Sequence, residues 1–496
     1  MLLCSPMIEQ GMPDERPNVL FLMTDEHRPN LAGFAGNDVV HTPNLDWLAE
    51  TGTQFTNAYT PSPICVPGRH AIRTGKLPRT YENESLDEFD DEYPYLARQF
   101  TENAYMTVQA GKEHYPGWSQ MLGYRKRLGP TPMKRAVGDT AVDTENSGAL
   151  ELEREVDYGD YGGWNDWKWF WGKEVKRAGI SDSRVQVQDR RSVEGTEQFL
   201  RQFFVSPYYD RAQPDRPLFA KVSLIQPHYP FFTEEEELFT YYMNRVDPYV
   251  ETPGEHPAAR TDRWAEAGEL LPGEDVTARE IRRATAAYYA MVERVDALFG
   301  QVIDQLRQVG EDPDEWMIVF TSDHGEMLGE RGLWGKINFY EPAARVPLII
   351  RWPERFDSGI VDQNVSLCDL YATLCELAEI PIPDDVDSRS LVPLLEDETN
   401  DWTDEAISQG GDNTAVHGGL GPEELMIKQD DLKYCWYGEG EPEPEVLFDL
   451  DLDSGETTNY ADDPEYSVEL DRFRERRGEL GYGPNADPDY ENAGYH

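Results

Sequence analysis

Two apolar stretches of the sequence end in residues that can take part in catalysis. The run Asn18–Thr24 is followed directly by Asp25, and the run Trp316–Thr321 is followed by Ser322-Asp323-His324. Each run has the length and composition of a strand that is buried on both faces of a sheet. Because the carboxyl ends of parallel strands meet at one edge, the pattern predicts a parallel α/β sheet with a functional site at that edge.

A cysteine-containing segment is the next candidate. Residues 65–75 read Cys-Val-Pro-Gly-Arg-His-Ala-Ile-Arg-Thr-Gly. Taken alone, this segment is better explained by a buried structural cysteine beside a Pro-Gly turn. Further candidate segments follow it in the chain: Gly111-Lys112-Glu113-His114, Gln226-Pro227-His228-Tyr229-Pro230, and Gly335-Lys336 with Phe339-Tyr340-Glu341 and Arg345-Val346-Pro347.

In this order, the segments resemble those of the type I sulfatases, a formylglycine-dependent family of the alkaline-phosphatase-like superfamily. Cys65, Pro67, Arg69 and Thr74-Gly75 match the family signature, in which the cysteine is oxidised after translation to Cα-formylglycine (3-oxoalanine). One hydroxyl of the hydrated aldehyde is the family's nucleophile. The resemblance continues to the carboxyl end, where Leu447–Thr457 with Asn459 is similar to another family stretch.

The resemblance implies a divalent metal ion held by Asp25, Asp323, His324 and an oxygen of modified Cys65. Hard oxygen ligands favour Ca²⁺, Mg²⁺ or Mn²⁺, and we expect Ca²⁺. Because His324 would add a nitrogen ligand, Mn²⁺ is an alternative to Ca²⁺. Many sulfatases carry two adjacent aspartates after the first strand, whereas this chain has Asp25-Glu26. Glu26 is one methylene longer, so it is a further candidate ligand whose coordination stays open.

The same resemblance implies a set of catalytic residues around the sulfate group. They are Cys65, Arg69, Lys112, His114, His228 and Lys336. Arg69 and Lys112 would hold the hydrated side chain of residue 65, from which one hydroxyl attacks sulfur. Lys336 or His228 would protonate the departing alcohol, and His114 would take the proton of the second hydroxyl as sulfate leaves.

Besides Glu26, three positions depart from the family pattern. Glu113 replaces the usual aromatic residue between Lys112 and His114, Gly68 replaces a common serine, and Arg73 replaces an apolar residue before Thr74-Gly75. Modification in the family depends chiefly on the Cys-x-Pro-x-Arg positions. We therefore expect Cys65 to be converted despite these changes.

Three functions are compatible with this set of residues. The first is hydrolysis of a sulfate ester to an alcohol and inorganic sulfate. The second is hydrolysis of phosphonate monoesters or phosphodiesters by a member of the same superfamily, since some of those enzymes also carry formylglycine. The third is a non-catalytic carbohydrate-binding relative that keeps only the fold, which the full set of candidate catalytic residues disfavours.

The remaining patterns predict the elements that support the site. Helices are predicted for 42–50, for 278–309 from its apolar spacing of three and four, and for 369–378, with a strand at 346–351. We expect a large, mostly parallel sheet flanked by helices in a catalytic domain, 16–395. A smaller C-terminal α+β domain, 396–496, should contain an antiparallel sheet and a helix.

Residues 131–200 form a variable insert with no clear pattern. Aromatic side chains cluster within it, namely Trp164, Trp167, Trp169, Phe170 and Trp171. They predict either a satellite hydrophobic cluster under a long loop or an aromatic wall facing the substrate, with the first interpretation favoured.

Composition limits the partners of the protein. Lys and Arg number 45 against 95 Asp and Glu, which gives a net charge of −50. Such a surface repels nucleic acid and anionic membranes, and it is typical of proteins adapted to concentrated salt. The five cysteines show no paired spacing, no apolar stretch reaches transmembrane length, and residues 1–16 lack a leader pattern. We expect a cytoplasmic, halophilic enzyme whose partners are a small sulfated substrate and a formylglycine-generating maturation enzyme.

The charge predicts that folding depends on salt. On dilution from 1 M to 0.1 M salt the Debye length grows from about 3 Å to about 10 Å, so repulsion between surface carboxylates increases. The melting temperature should therefore fall on dilution, and Ca²⁺ or Mn²⁺ should partly restore it because metal binds only the folded state. Thermal melts with and without chelator measure both effects. A melting temperature that stays flat or rises on dilution contradicts halophilic adaptation.

Overall fold

A computed structural model provides the structure of the chain. It describes residues 16–81, 93–114, 120–129, 167–205, 216–251, 269–397, 401–410, 424–438 and 445–483. No helix in these ranges is both long enough and apolar enough to span a bilayer.

A mostly parallel sheet forms the centre of the fold. Within the described residues its eight strands lie in the order β10-β2-β9-β8-β1-β6-β3-β4, and only β9 runs antiparallel to its neighbours. The strands are β1 (Val19–Asp25), β2 (Thr53–Tyr59), β3 (Met106–Gly111), β4 (Lys126–Leu128), β6 (Leu218–Pro227), β8 (Met317–Ser322), β9 (Arg345–Arg351) and β10 (Gly359–Ser366). Strands β1 and β8 are buried along their whole length, as their apolar runs predict, and β6 is equally buried although it contains Lys221, Ser223 and Gln226.

Helices cover the sheet and connect its strands. They are α1 (Pro43–Glu50), α2 (Cys65–Thr74), α3 (Leu96–Glu102), α4 (Trp167–Arg177), α5 (Arg184–Leu200), α6 (Glu236–Met243), α7 (Ala278–Val309), α8 (Glu341–Ala344), α9 (Leu370–Leu377), α10 (Val392–Leu395) and α11 (Ser467–Glu479). A short pair, β5 (Gly179–Ile180) and β7 (Phe232–Thr233), lies outside the main sheet.

Helix α7 shows how local sequence signals fix an element. A capping box at its start joins the Thr277 side chain to the backbone of Glu280 and the Glu280 side chain to the backbone of Thr277. Its end is a left-handed glycine, Gly310, with φ 91°. Its apolar face packs on the sheet with residues such as Leu20 and Phe320, so the predicted helix and its bounds are confirmed.

A second sheet lies at the carboxyl end of the chain. Its four antiparallel strands are β11 (Glu405–Gly410), β12 (Glu424–Gln429), β13 (Leu432–Trp436) and β14 (Glu445–Asp449), and α11 packs on it. The predicted fold class, a large mostly parallel sheet with helices plus a C-terminal antiparallel sheet, is confirmed. The boundary between residues 395 and 396 stays a prediction.

The two sheets are joined by a buried ion cluster. Lys433 on β13 is fully buried, and its Nζ lies 3.0 Å from Glu341 Oε1 and 2.5 Å from Glu456 Oε1. Glu341, the first residue of α8, donates its backbone N–H to Glu456 Oε2 over 2.8 Å. Although burial lowers the pKa of Lys433, the two carboxylates outweigh it and raise the pKa above its usual value, so the ammonium is retained.

The insert contains more structure than the sequence predicted. Two helices, α4 and α5, occupy its described part, because both carry apolar faces that pack against α7 or the sheet. Residues 131–166, including Trp164, lie outside the described residues, as do the side chains of Trp167 and Trp169.

We predict that Lys433→Met destabilises the protein by about 3–5 kcal/mol, since it leaves the buried carboxylate of Glu456 without its cation and removes one of the two cations beside Glu341. Chemical denaturation measures the change in the free energy of unfolding. Lys76→Met is the matched control, because the Lys76–Asp385 pair, 3.0 Å long, involves a carboxylate that is 69% exposed. Breaking that pair should cost less than about 1 kcal/mol. Equal losses in the two variants would contradict the joining role of Lys433.

Candidate active site

Four neighbouring parallel strands end in candidate residues at one edge of the main sheet. Asp25 is the last residue of β1, and Asp323 and His324 follow the end of β8. His228 follows the end of β6, and Lys112 follows the end of β3. The edge predicted from the two apolar runs is therefore the place where these side chains meet.

Cys65 reaches the same edge from a helix. It is the first residue of α2, and Arg69 lies one turn further along the same face. The sequence suggested a Pro-Gly turn here, but Pro67 and Gly68 lie in the first turn of the helix. Proline is tolerated there because the first N–H groups of a helix have no intrahelical partner.

The sulfur of Cys65 lies at the centre of the site. His324 Nε2 is 3.2 Å from Sγ, Lys336 Nζ 3.3 Å, Lys112 Nζ 3.7 Å and Asp25 Oδ1 3.8 Å. Although burial raises the pKa of the thiol, Lys112, Lys336 and His324 outweigh it, and the pKa lies well below its usual value. The pocket around residue 65 is thus built to stabilise negative charge.

Arg69 binds the two aspartates rather than facing open space. It is fully buried, with Nε 2.6 Å from Asp323 Oδ2 and Nη2 3.1 Å from Asp25 Oδ2. Lys112 forms a second, shorter ion pair with Asp25 Oδ2. Burial and Cys65 raise the pKa of Asp25, but Lys112, His228 and Arg69 lower it by a larger amount. The pKa therefore lies below its usual value, and this carboxyl is ionised.

One group of donors fits a divalent metal ion. Asp25, Cys65, Asp323 and His324 each offer one donor atom, all four residues are buried, and these atoms lie within 4.8 Å of one another. The Nδ1 of His324 is 3.0 Å from the carbonyl oxygen of Gly325 and donates to it when protonated, which leaves Nε2 as the ligand atom. Carboxylate oxygens and an imidazole suit Ca²⁺ or Mn²⁺.

Glu26 lies on the other side of Asp25. Its backbone has a φ of 64°, and its Oε2 is 2.9 Å from Lys336 Nζ and 3.3 Å from His228 Nε2. Asp25, Glu26 and His228 form a second group of potential ligand atoms within 4.8 Å, separate from Asp323 and His324. The side chain of Glu26 is thus directed to Lys336 and His228 instead of to the first group.

The two histidines beside the sulfur are neutral near pH 7. Burial lowers the pKa of His114 to about 4, and burial together with Lys336 lowers the pKa of His228 to about 4. Lys336 keeps its proton, because Cys65 and Glu26 raise its pKa more than burial lowers it. A neutral His114 is able to accept a proton, while Lys336 is able to donate one.

Comparison with known proteins identifies the family. The family model described as Sulfatase matches residues 17–380. The chain belongs to the sulfatase family. A second model, N-sulphoglucosamine sulphohydrolase, C-terminal, matches residues 329–480.

Full-length relatives agree with this assignment. A choline-sulfatase of Rhizobium meliloti (strain 1021) is 30% identical over 481 residues, which cover 94% of this sulfatase and 87% of the relative. An arylsulfatase of Clostridium perfringens (strain 13 / Type A) is 27% identical over 487 residues, covering 92% and 93% of the two chains. The protein is therefore a sulfuric ester hydrolase.

A solved structure shares the fold. A phosphonate monoester hydrolase of Agrobacterium radiobacter superposes with a TM-score of 0.71 at 23% identity, covering 93% of this sulfatase and 94% of that chain. The likeness shows the alkaline-phosphatase-like architecture. Members of the sulfatase family generally use a metal ion and a formylglycine made from cysteine, which agrees with the donor group around Cys65.

Sequence reasoning missed several residues that hold the site of the sulfatase together. Asp189 on α5 accepts the backbone N–H groups of Ile225 and Gln226 at 2.8 and 2.9 Å, just before His228. Ser223 accepts a hydrogen bond from Arg69 over 2.8 Å. Glu326 accepts the N–H of Gly335 over 2.6 Å and so orients the residue before Lys336. No local pattern predicts these contacts. The contacts of Asp189 and Ser223 join residues far apart in sequence, and that of Glu326 joins two residues of one irregular segment.

In the described part of the aromatic cluster, Trp171 packs against Gly335, the residue that precedes Lys336. Trp171 is buried and packs edge-on against Tyr229, with ring centroids 5.0 Å apart. A Cβ on Gly335 would come within 2.1 Å of the Trp171 ring, and φ at this glycine is 80°. Trp171 belongs to a buried hydrophobic cluster with Phe231 and Tyr242, which agrees with the favoured interpretation.

We predict different metal affinities for two isosteric amide variants of the sulfatase. Asp323→Asn should lose bound Ca²⁺ and activity, because Asp323 belongs to the donor group with His324. Glu26→Gln should keep its metal and part of its activity, since its carboxylate contacts Lys336 and His228 instead. Metal content after desalting, and the rise in melting temperature on adding Ca²⁺, measure the difference. Metal binding that survives in Asp323→Asn but is lost in Glu26→Gln would mean that the metal site is assigned incorrectly.

Proposed function

We propose that the protein hydrolyses the sulfate ester of a small molecule through a formylglycine made from Cys65, with a divalent metal ion at Asp25, Asp323 and His324 that we assign as calcium from the ligand types. The observation that carries this proposal is the surrounding of Cys65 Sγ. Two lysines, a histidine and a carboxylate lie 3.2–3.8 Å from it. An oxygen nucleophile on residue 65 would therefore meet cations that also attract an anionic sulfate.

The chemistry requires an aldehyde at residue 65. We propose that a formylglycine-generating maturation enzyme oxidises Cys65, for which the motif Cys65-x-Pro67-x-Arg69 provides the recognition pattern. Hydration of the aldehyde supplies two hydroxyls on one carbon. A serine or an unmodified cysteine lacks the second hydroxyl, so it could not release sulfate by re-forming a C=O bond.

A bound metal ion would supply positive charge close to the sulfate oxygens and residue 65. The Nζ atoms of Lys112 and Lys336 both contact Cys65 Sγ and are positioned to hold the hydrate and the sulfate. One hydroxyl of residue 65 loses its proton to solvent, since Lys112 and Lys336 stabilise the resulting oxyanion. This oxygen attacks sulfur, and the bond from sulfur to the ester oxygen breaks. Lys336, which keeps its proton, gives it to that departing oxygen. The other candidate donor, His228, is neutral near pH 7 because burial together with Lys336 lowers its pKa to about 4.

The second half of the reaction regenerates the aldehyde. His114, which is neutral because burial lowers its pKa to about 4, takes the proton of the remaining hydroxyl. The electrons of that O–H bond form C=O, and the bond between the side-chain carbon and the sulfated oxygen breaks. Inorganic sulfate leaves, and the aldehyde is ready to be hydrated again.

Net charge supports a small substrate. A chain with a net charge of −50 repels polysulfated polymers, whereas a small ester with one sulfate group meets little of that repulsion. One of the relatives is a choline-sulfatase, whose named substrate type carries a cationic group beside its sulfate. A turnover screen in high salt over choline sulfate, aryl sulfates and sulfated sugars identifies the substrate class. Faster turnover of phosphodiesters or phosphonate monoesters than of every sulfate ester would favour the alternative hydrolase.

We predict that Cys65 carries an aldehyde or its hydrate when the protein is made together with a maturation enzyme. Mass spectrometry of the peptide containing Cys65 measures the conversion. Cys375, a buried cysteine without the motif, is an internal control that should stay a thiol. Cys65→Ser should be nearly inactive unless the maturation enzyme accepts serine. Fully active protein in which residue 65 is only a thiol would exclude the mechanism, and absence of both aldehyde and turnover would favour a non-catalytic relative.

A further inference from the structure

Helix α2 holds the segment that carries Lys112. Cys65, Arg69 and Arg73 are spaced by four residues and share one face of the helix. Arg69 Nη1 donates to the backbone carbonyl of Lys112 over 2.6 Å, and Arg73 Nη2 donates to the carbonyl of Glu113. Successive turns of the helix that bears Cys65 thus bind successive carbonyls of the neighbouring segment.

The side chain of Glu113 anchors this segment through contacts with two buried cations. Its Oε2 lies 3.0 Å from Lys221 Nζ and 3.8 Å from Arg73 Nε. Glu113 is fully buried, and the side chains of Lys221 and Arg73 are only 3% and 6% exposed. Burial raises the pKa of Glu113, but Lys221 and Arg73 lower it by a larger amount, so the pKa lies below its usual value. The ionised carboxylate therefore neutralises two cations that would be costly to bury alone.

The anchored backbone has left-handed φ values on both sides of Glu113, which a glycine adopts freely at 111 but which strain the chain at His114. Gly111 has a φ of 86°, and a Cβ there would lie 1.9 Å from the carbonyl oxygen of Ser223. His114 has a φ of 55°, which is unfavourable for a residue with a side chain. Lys112 donates its backbone N–H to the carbonyl oxygen of Ser223 over 2.7 Å. A segment in this conformation needs contacts that hold it, and the charges on Glu113, Arg73 and Lys221 provide them.

Glu113 and its neighbours point in different directions. Lys112 Nζ faces Cys65 Sγ at 3.7 Å, whereas the carboxylate of Glu113 lies among Lys221 and Arg73. Arg73 and Glu113 are also two of the three positions at which the sequence departs from the resemblance described above. The structure shows that these two departures contact each other, 40 residues apart in sequence.

We propose that Glu113, held by Arg73 and Lys221, is a positioning residue that fixes Lys112 and His114 against residue 65. The inference rests on the proposed function for the roles of Lys112 and His114. Loss of the anchor lets the strained segment relax, so that both side chains shift from the position that catalysis requires. A displacement of about 1 Å is sufficient to cost on the order of 10²-fold in rate.

Glu113→Gln tests the proposal, with Glu405→Gln as its matched control. Glu405 is also a buried glutamate, and it accepts hydrogen bonds from Arg476 and Gln429 on the C-terminal sheet. We measure kcat and KM for an aryl sulfate, the metal content and the melting temperature of each fully matured protein. Glu113→Gln should raise KM and lower kcat/KM on the order of 10²-fold while its metal content is unchanged. Glu405→Gln should lower the melting temperature and leave KM unchanged.

The split between KM and kcat distinguishes positioning from stability. If Glu113 served only folding, the variant would contain fewer active molecules, so kcat per mole of protein would fall and KM would not change. That result overturns the proposal. Lys221→Met serves as a second variant should Glu113→Gln not fold; it should also raise KM, and an unchanged KM there counts equally against the proposal.

Double substitution provides a further check. Because Arg73 and Glu113 contact each other, Arg73→Met combined with Glu113→Gln should raise KM by less than the product of the two single effects. Fully additive effects would contradict a shared contact. A parent protein that turns over no sulfate ester argues against the proposed function, whereas an active parent with kinetically normal variants argues only against the positioning role.

Discussion

The charge balance around Asp25 is the interaction on which the site depends. Its carboxylate is fully buried and contacts Arg69 and Lys112 through one oxygen, while the other oxygen faces Cys65. A carboxylate buried without cations would take up a proton and lose its value as a metal ligand. Because Asp25, Arg69 and Lys112 belong to β1, α2 and the end of β3, these ion pairs also require the three elements to come together.

The cations of the site have different tasks. Arg69 is fully buried, and its donors are occupied by Asp25, Asp323 and the backbone of Lys112, so it orders the ligands more than it meets a substrate. Lys336 is 9% exposed, and its Nζ lies 3.3 Å from Cys65 Sγ. One arginine thus orders the carboxylates that we propose as metal ligands, whereas Lys112 and Lys336 are the cations that an anion at residue 65 would meet.

Much of the frame was predictable from local pattern. Strands β1 and β8 were evident because strands buried on both faces are continuous apolar runs, and α7 because its apolar residues recur at intervals of three and four. The residues of the site were found because they lie in short segments at strand ends. Helix α2 was not predicted, since the pair Pro67-Gly68 favours a turn in most contexts and is compatible with a helix only in its first turn.

The contacts between distant charges could not be predicted. Nothing in the sequence near Glu113 indicates that Arg73 and Lys221 are its partners, because those residues meet only after β3, β6 and α2 have packed. The same holds for Asp189. Its carboxylate accepts hydrogen bonds from backbone N–H groups of a strand that begins 29 residues later, at Leu218. Side chains that bind backbone groups of other elements leave no spacing pattern, so only the folded chain reveals them.

The ion cluster of Lys433, Glu341 and Glu456 has a consequence for the time at which the pocket forms. The segment after Lys336 is secured by residues 433 and 456, which leave the ribosome long after residue 65. During synthesis, the nascent chain therefore exposes Cys65 while the last wall of its pocket is still missing. The maturation enzyme that we propose would have this interval in which to reach the cysteine, until residues 433 and 456 have folded against the segment after Lys336.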